Sequence, residues 1–70
     1  DFGTLMTYAR EYGVVTKDEG SGKWMYFDME ASKLDVIKEV WRVNRHQYLR
    51  TSMEIVNRAK ERLRGSSSQR

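Results

Sequence analysis

The 70-residue chain has no cysteine, so it can form neither a disulfide staple nor a thiolate metal site. That absence suits a cytoplasmic or otherwise intracellular protein. Its one histidine, His46, has no cysteine to join it in a structural zinc site and is expected on the surface beside Arg45. No apolar run approaches the roughly 18 residues of a membrane span, and no signal-peptide pattern opens the chain, so no membrane partner is expected. The chain opens on Asp1 rather than Met, which reads as a fragment or a processed product. A domain of this size buries only about 60% of the surface its unfolded chain exposes, too little to frame a deep catalytic pocket. No Ser/His/Asp set has local support, and Asp1-Phe2-Gly3 copies the kinase metal-binding triplet in a chain too short for a kinase. The expectation is a non-catalytic domain without a cofactor.

Lys17 to Phe27 reads KDEGSGKWMYF and contains the Gly-Ser-Gly-Lys chemistry of a phosphate loop. A Walker A loop needs G-x-x-x-x-G-K-[ST]. Its first Gly would fall on Lys17 and its Ser/Thr on Trp24, and Asp18 and Glu19 would repel a bound phosphate. The composition is instead that of a hairpin turn over 18–22.

The remaining elements follow from spacing. Thr4 can cap a helix over about 5–12 in which Leu5, Met6, Ala9 and Tyr12 recur at helical intervals, and Gly13 supplies a left-handed stop. Val14-Val15-Thr16 favour a strand, and Lys23 to Asp28 is the return strand. There Trp24 and Tyr26 share one face and Met25 and Phe27 the other, so the strand is covered on both sides or uses one face for binding. Ser32 with Asp35 resembles a capping box for a helix from Lys33 to Leu49. Leu34, Ile37, Trp41 and Tyr48 form one stripe on it. Val36, Val40 and Val43 form a second on the opposite side, the pattern of a helix packed between two elements. Thr51-Ser-Met-Glu54 starts a last helix whose inward face is Ser52, Ile55, Val56, Ala59 and Leu63. Gly65 ends it, and GSSSQR over 65–70 reads as a disordered polar tail. The fold class is α+β: one small domain over 1–64, with a short antiparallel β-hairpin packed against about three α-helices. Trp24, Tyr26 and Trp41 are expected in the core, although aromatics also stack bases on single strands. Asp28 and Glu30, ahead of a helix, are placed by its dipole rather than paired for acid–base work.

Charge is distributed unevenly. Residues 1–37 carry Arg10, Lys17, Lys23 and Lys33 against seven acids. Residues 38–64 carry Lys38, Arg42, Arg45, Arg50, Arg58, Lys60, Arg62 and Arg64 against Glu39, Glu54 and Glu61, and the chain totals +3. A basic half beside an acidic half makes an oriented electrostatic surface, whose commonest partner is nucleic acid. Lys23, Arg42, Arg45, Arg50, Arg58, Lys60, Arg62 and Arg64 are the candidate DNA-contacting residues.

Read together, the pieces resemble the small C-terminal domain of the RecA recombinase family. That domain reads helix, then G-[IV]-[IV]-x-K-x-G-x-W-Y-S-Y, then a short basic helix ending F-L-K, then N-P-E-I-A opening the last helix. Leu5 to Tyr12 takes the place of the first helix, and Gly13-Val14-Val15-Thr16-Lys17 that of the next segment. Gly22 to Phe27 resembles the Gly-x-Trp strand. Arg42-x-Asn44 resembles the G-R-x-N start, Tyr48-Leu49-Arg50 the F-L-K, and Ser52-Met53-Glu54-Ile55 the N-P-E-I. Lys60-Glu61-Arg62-Leu63 ends like the family's R-E-K-L. The family's I-G-Q-G is missing, about six extra residues lie between Trp24 and Arg42, and Met53 replaces Pro, as in a divergent or phage-type member. The resemblance implies an accessory domain that helps an attached ATPase core capture duplex DNA with little sequence specificity. Two other readings compete. One is a winged-helix-like regulator, with the hairpin as wing. The other is a protein-interaction or dimerisation module using Val36, Val40 and Val43.

Overall fold

The computed structural model describes residues 1–67. Residues 68–70 of the expected tail lie outside the described residues. Helix α1 (Phe2–Glu11) is followed by strands β1 (Val15–Lys17), β2 (Trp24–Tyr26) and β3 (Met29–Ala31), then helices α2 (Leu34–Val43) and α3 (Arg45–Ser67). The α+β expectation holds, with one strand more than the hairpin read from sequence.

The first helix starts earlier than Thr4. The carboxylate of Asp1 accepts a hydrogen bond from the Thr4 amide at 2.9 Å, so Asp1 is the cap and Thr4 lies inside the helix. Its other end is a complete Schellman closure. Gly13 takes φ +75°, the Val14 amide donates to the Ala9 carbonyl at 2.8 Å, and the Gly13 amide donates to the Arg10 carbonyl at 3.3 Å. Ala9 and Val14, which this closure brings together, are both buried.

The strands form an antiparallel meander in the order β1-β2-β3. Val15 faces Tyr26 and Lys17 faces Trp24 across the first pair; Trp24 faces Ala31 and Tyr26 faces Met29 across the second. Cross-strand partners share a face, so Val15, Tyr26 and Ala31 turn one side of the sheet into the core. Trp24 on that side is only partly buried, whereas Trp41 is 2% exposed. On the opposite side Thr16 and Glu30 are exposed. Phe27 is not on the strand: it opens the two-residue turn to β3 with φ +56°, a position where glycine is ordinarily preferred.

The Gly-Ser-Gly-Lys segment is a closed turn. Asp18 and Lys23 bracket it through the Asp18 amide and the Lys23 carbonyl, and the Gly22 amide donates to the Asp18 carbonyl. The Asp18 carboxylate accepts from the Ser21 amide and hydroxyl, which hold it below the usual aspartate range. The acid stands where a phosphate loop would receive its anion.

The helical half departs most from the sequence reading. The break falls at Asn44, and α3 runs unbroken for 23 residues. Asn44 opens it, its side-chain oxygen accepting from the Gln47 amide at 3.4 Å. Thr51 does not cap a helix; it is interior to α3 and fully buried. Gly65 does not end the helix either, because α3 continues to Ser67. Ser32 gives α2 no cap: the capping position is Lys33, without a side-chain bond. Ile37 and Trp41 of α2 enter the core, but Val36 and Val43 are exposed, so α2 is covered on one side and not packed between two elements. On α3 the inward residues include Tyr48, Thr51, Ser52, Ile55 and Ala59, while Val56 and Leu63 lie outside at 46% and 74% exposure.

Thr51 is interior because a buried polar chain claims its hydroxyl. The Trp41 indole donates to the Tyr26 hydroxyl oxygen at 3.0 Å. Tyr26 in turn meets Thr51 Oγ1, and the Thr51 hydroxyl donates to the Gln47 carbonyl at 2.8 Å. Directed this way, each hydroxyl donates once and accepts once, and no buried side-chain N or O among the described residues lacks a partner. Tyr26→Phe should therefore cost about 1–3 kcal/mol, the penalty for orphaning a buried donor, measured by urea denaturation; a change under about 0.5 kcal/mol would refute the role given to this hydroxyl. The Asp18 turn gives a second expectation. A depressed folded-state pKa means the turn gains stability above the ordinary aspartate range and loses it as pH falls through the lowered value. In an acid titration by NMR, the Ser21 and Gly22 amides should shift only below that ordinary range.

Candidate nucleic-acid interface

The eight candidate cations have different duties. Lys23, at the entry to β2, lies 4.0 Å from Glu30 of β3, both side chains being more than half exposed, and stands apart from the cations of α3. Arg42 makes a two-pronged bond to Glu39 one turn before it on α2. That bond holds the Glu39 carboxyl below its usual range and raises Arg42, although both groups are exposed and the pair is screened by water.

Arg58 and Arg62 complete the end of α1. The last four carbonyls of a helix have no partner within it. The Schellman closure occupies those of Ala9 and Arg10, leaving Glu11 and Tyr12. Arg58 Nη1 donates to the Tyr12 carbonyl at 3.1 Å, and Arg62 Nη2 to the Glu11 carbonyl at 3.3 Å. Arg62 also lies 3.5 Å from the Glu11 carboxylate and 4.2 Å from the centre of the Tyr12 ring, and Arg58 is braced by Glu54 at 2.8 Å. Positive charge at a helix C-terminus is also favoured by the helix dipole.

Arg45, Arg50, Lys60 and Arg64 remain. At 100° per residue they fall within an arc of about 140° on α3, on the side away from the core, and all four are exposed. Arg45 lies 5.5 Å from the Tyr48 ring and Arg50 3.8 Å from that of Phe27, contacts that leave the charge un-neutralised. Lys60 has no ion pair among the described residues. Arg64 pairs with Glu61 at 3.3 Å, both about two-thirds exposed, a bridge weak in water. His46 is exposed between Arg45 and Arg50.

The sequence reading passed over a second cationic place. Arg10 and Lys17 lie 5.0 and 5.5 Å from the Trp24 ring, in an open cleft of about 640 Å³ between α1 and β1 that Glu11 and Glu19 also line. The Lys17–Trp24 juxtaposition follows from the β1–β2 register, which composition does not reveal. Two acids balance the two cations there, so the cleft has no net pull on an anion. Among the described residues no group of His, Cys, Asp or Glu could hold a metal ion, and no helix is long and apolar enough to cross a membrane.

No protein-family model, curated protein or solved structure matches the chain.

The division of duties has a direct consequence. Arg58→Gln with Arg62→Gln should lower stability by about 1 kcal/mol, since both side chains are substantially exposed and their bonds screened, and should speed amide exchange at the end of α1. Arg45→Gln with Lys60→Gln should leave the Tm unchanged. Equal Tm losses in the two pairs would overturn the assignment.

Proposed function

We propose that the chain is a non-catalytic, accessory DNA-binding domain that contacts phosphate through the outward face of α3. The observation that carries this reading is the arc of Arg45, Arg50, Lys60 and Arg64, cations turned to solvent and not engaged in closing α1. Phosphate contacts fix a protein on DNA without reading sequence, and neutralised phosphates release counterions whether or not bases are touched.

The order of elements supports the RecA-type version of this reading and revises how the segments correspond. Ser52 to Ile55 lie in the middle of α3, so they do not take the place of the helix-opening N-P-E-I. On the RecA-type reading Asn44 would take that place instead: it opens the last helix, and Val40-Trp41-Arg42, apolar, apolar, basic, lie in the last turn of the shorter helix, which ends at Val43. Arg45 then stands where the family has proline. With that shift the domain no longer needs the extra residues between Trp24 and the basic helix, although I-G-Q-G is still missing. The partner implied is duplex DNA, delivered to an attached ATPase core that this chain does not contain.

A salt series of duplex binding tests the reading. With three or four phosphates neutralised, log affinity should fall with log salt at a slope of about −3, from a Kd of roughly 10⁻⁴ to 10⁻⁶ M at physiological salt. Replacing Arg45, Arg50, Lys60 and Arg64 together by Gln should flatten the slope and weaken all sequences alike. Arg58→Gln with Arg62→Gln should change it little. Absence of binding at low salt would reject the proposal. Selective loss at one base position would replace it with the winged-helix reading.

A further inference from the structure

The cations do not account for what lies between them. Leu49, Met53, Val56 and Leu63 are 50%, 61%, 46% and 74% exposed, and phosphate has no use for them. Together with Lys60 they step along α3 by four, three, four and three residues, the heptad spacing of a coiled-coil seam. His46 continues the register one step toward the N-terminus. The domain's own core does not need this stripe, because α3 packs inward through Tyr48, Thr51, Ser52, Ile55 and Ala59. Thr51 and Arg58 fall at the heptad position diametrically opposite the seam. One face of α3 thus builds the domain and the other is laid out for a second helix.

The charges say which helix. The positions flanking a seam set partner choice. Here they are Arg50, Asn57 and Arg64 on one side and Arg45 on the other, where Ser52 and Ala59 of the same row already pack inward, with Lys60 in the seam itself. No acid stands at any of them, because Glu54 and Glu61 lie one position beyond the seam. A second copy of α3 would meet like charge in either direction. In parallel, Arg45 faces Arg50 of the copy and Lys60 faces Lys60; antiparallel, Arg50 faces Arg64.

We infer that the outward face of α3 docks an amphipathic helix of another protein, apolar along its seam and acidic on both flanks. The inference does not depend on the DNA reading. Because both would use Arg45 and Arg50, such a helix and DNA would exclude each other. The stripe from Leu49 to Leu63 spans about 21 Å, two heptads, so binding should be reversible and salt-sensitive.

The test uses the 70-residue chain and three fluorescent peptides of about three heptads each. The first carries Leu at the seam positions and Glu at the flanks, the second replaces Glu by Lys, and the third scrambles the first. Titrated by fluorescence anisotropy without DNA, the Glu-flanked peptide should bind and the other two should not. Met53→Ser with Val56→Ser, both exposed, should weaken binding at least about tenfold, the effect of losing two seam contacts, while circular dichroism shows an unchanged melt. Equal binding of the scrambled peptide would reduce the effect to bulk charge and overturn the inference, as would equal binding of the Lys-flanked one. No binding of the Glu-flanked peptide at high micromolar concentration would also overturn it. If the chain sediments as a dimer that Met53→Ser with Val56→Ser dissolves, the occupant is a second copy and the inference fails. If it pellets with phosphatidylserine vesicles but ignores the peptide, the stripe serves a membrane surface instead.

Discussion

The architecture turns on one hydroxyl. Tyr26 comes from the central strand, and its oxygen is reached by the indole of α2 and by the threonine of α3. Three elements with no other polar business in the core are thereby fixed at a common point. In a low-dielectric interior such a chain is worth most when every member is satisfied, and costly when one is not. It also fixes how α3 is rotated. With Thr51 held inward, the opposite side of the helix faces solvent, and Leu49, Met53 and Val56 follow without further choice.

A second clamp acts at the far edge. Arg58 and Arg62 reach across to carbonyls that α1 cannot satisfy alone. Half of the strongly basic appearance of α3's C-terminal region is thus internal carpentry. Net charge alone counts those two arginines as free for a ligand, whereas their hydrogen bonds also tie them to the fold. The cations on the outward arc gain significance by the same subtraction, since closing α1 does not require them.

Much of the first half was legible in the sequence because its signals are local. Gly13 is the residue a Schellman closure asks for, and Asp18 to Gly22 has the composition of a turn. The third strand was not legible: Met29-Glu30-Ala31 lacks β-branched residues, and Phe27 stands where a turn would announce itself by glycine. The helix break was misplaced for a deeper reason. Thr51-Ser-Met-Glu54 and Asn44-Arg-His-Gln47 both place a capping residue three positions before Glu or Gln, and the buried partner of the Thr51 hydroxyl decides between them. The error carried over to the inward face of α3, where Val56 and Leu63 were placed inside. At the candidate site the pool of cations was readable. Which of them were already engaged depended on helix ends that meet only in the folded chain.

The bond between Arg58 and Tyr12 joins residues 46 positions apart, and that between Arg62 and Glu11 joins residues 51 apart. Contacts of such separation form late, since the intervening loop must close before they repay its entropy. During synthesis α1 is made before the partners that close it: its final carbonyls stay bonded to water until the far end of α3 has left the exit tunnel.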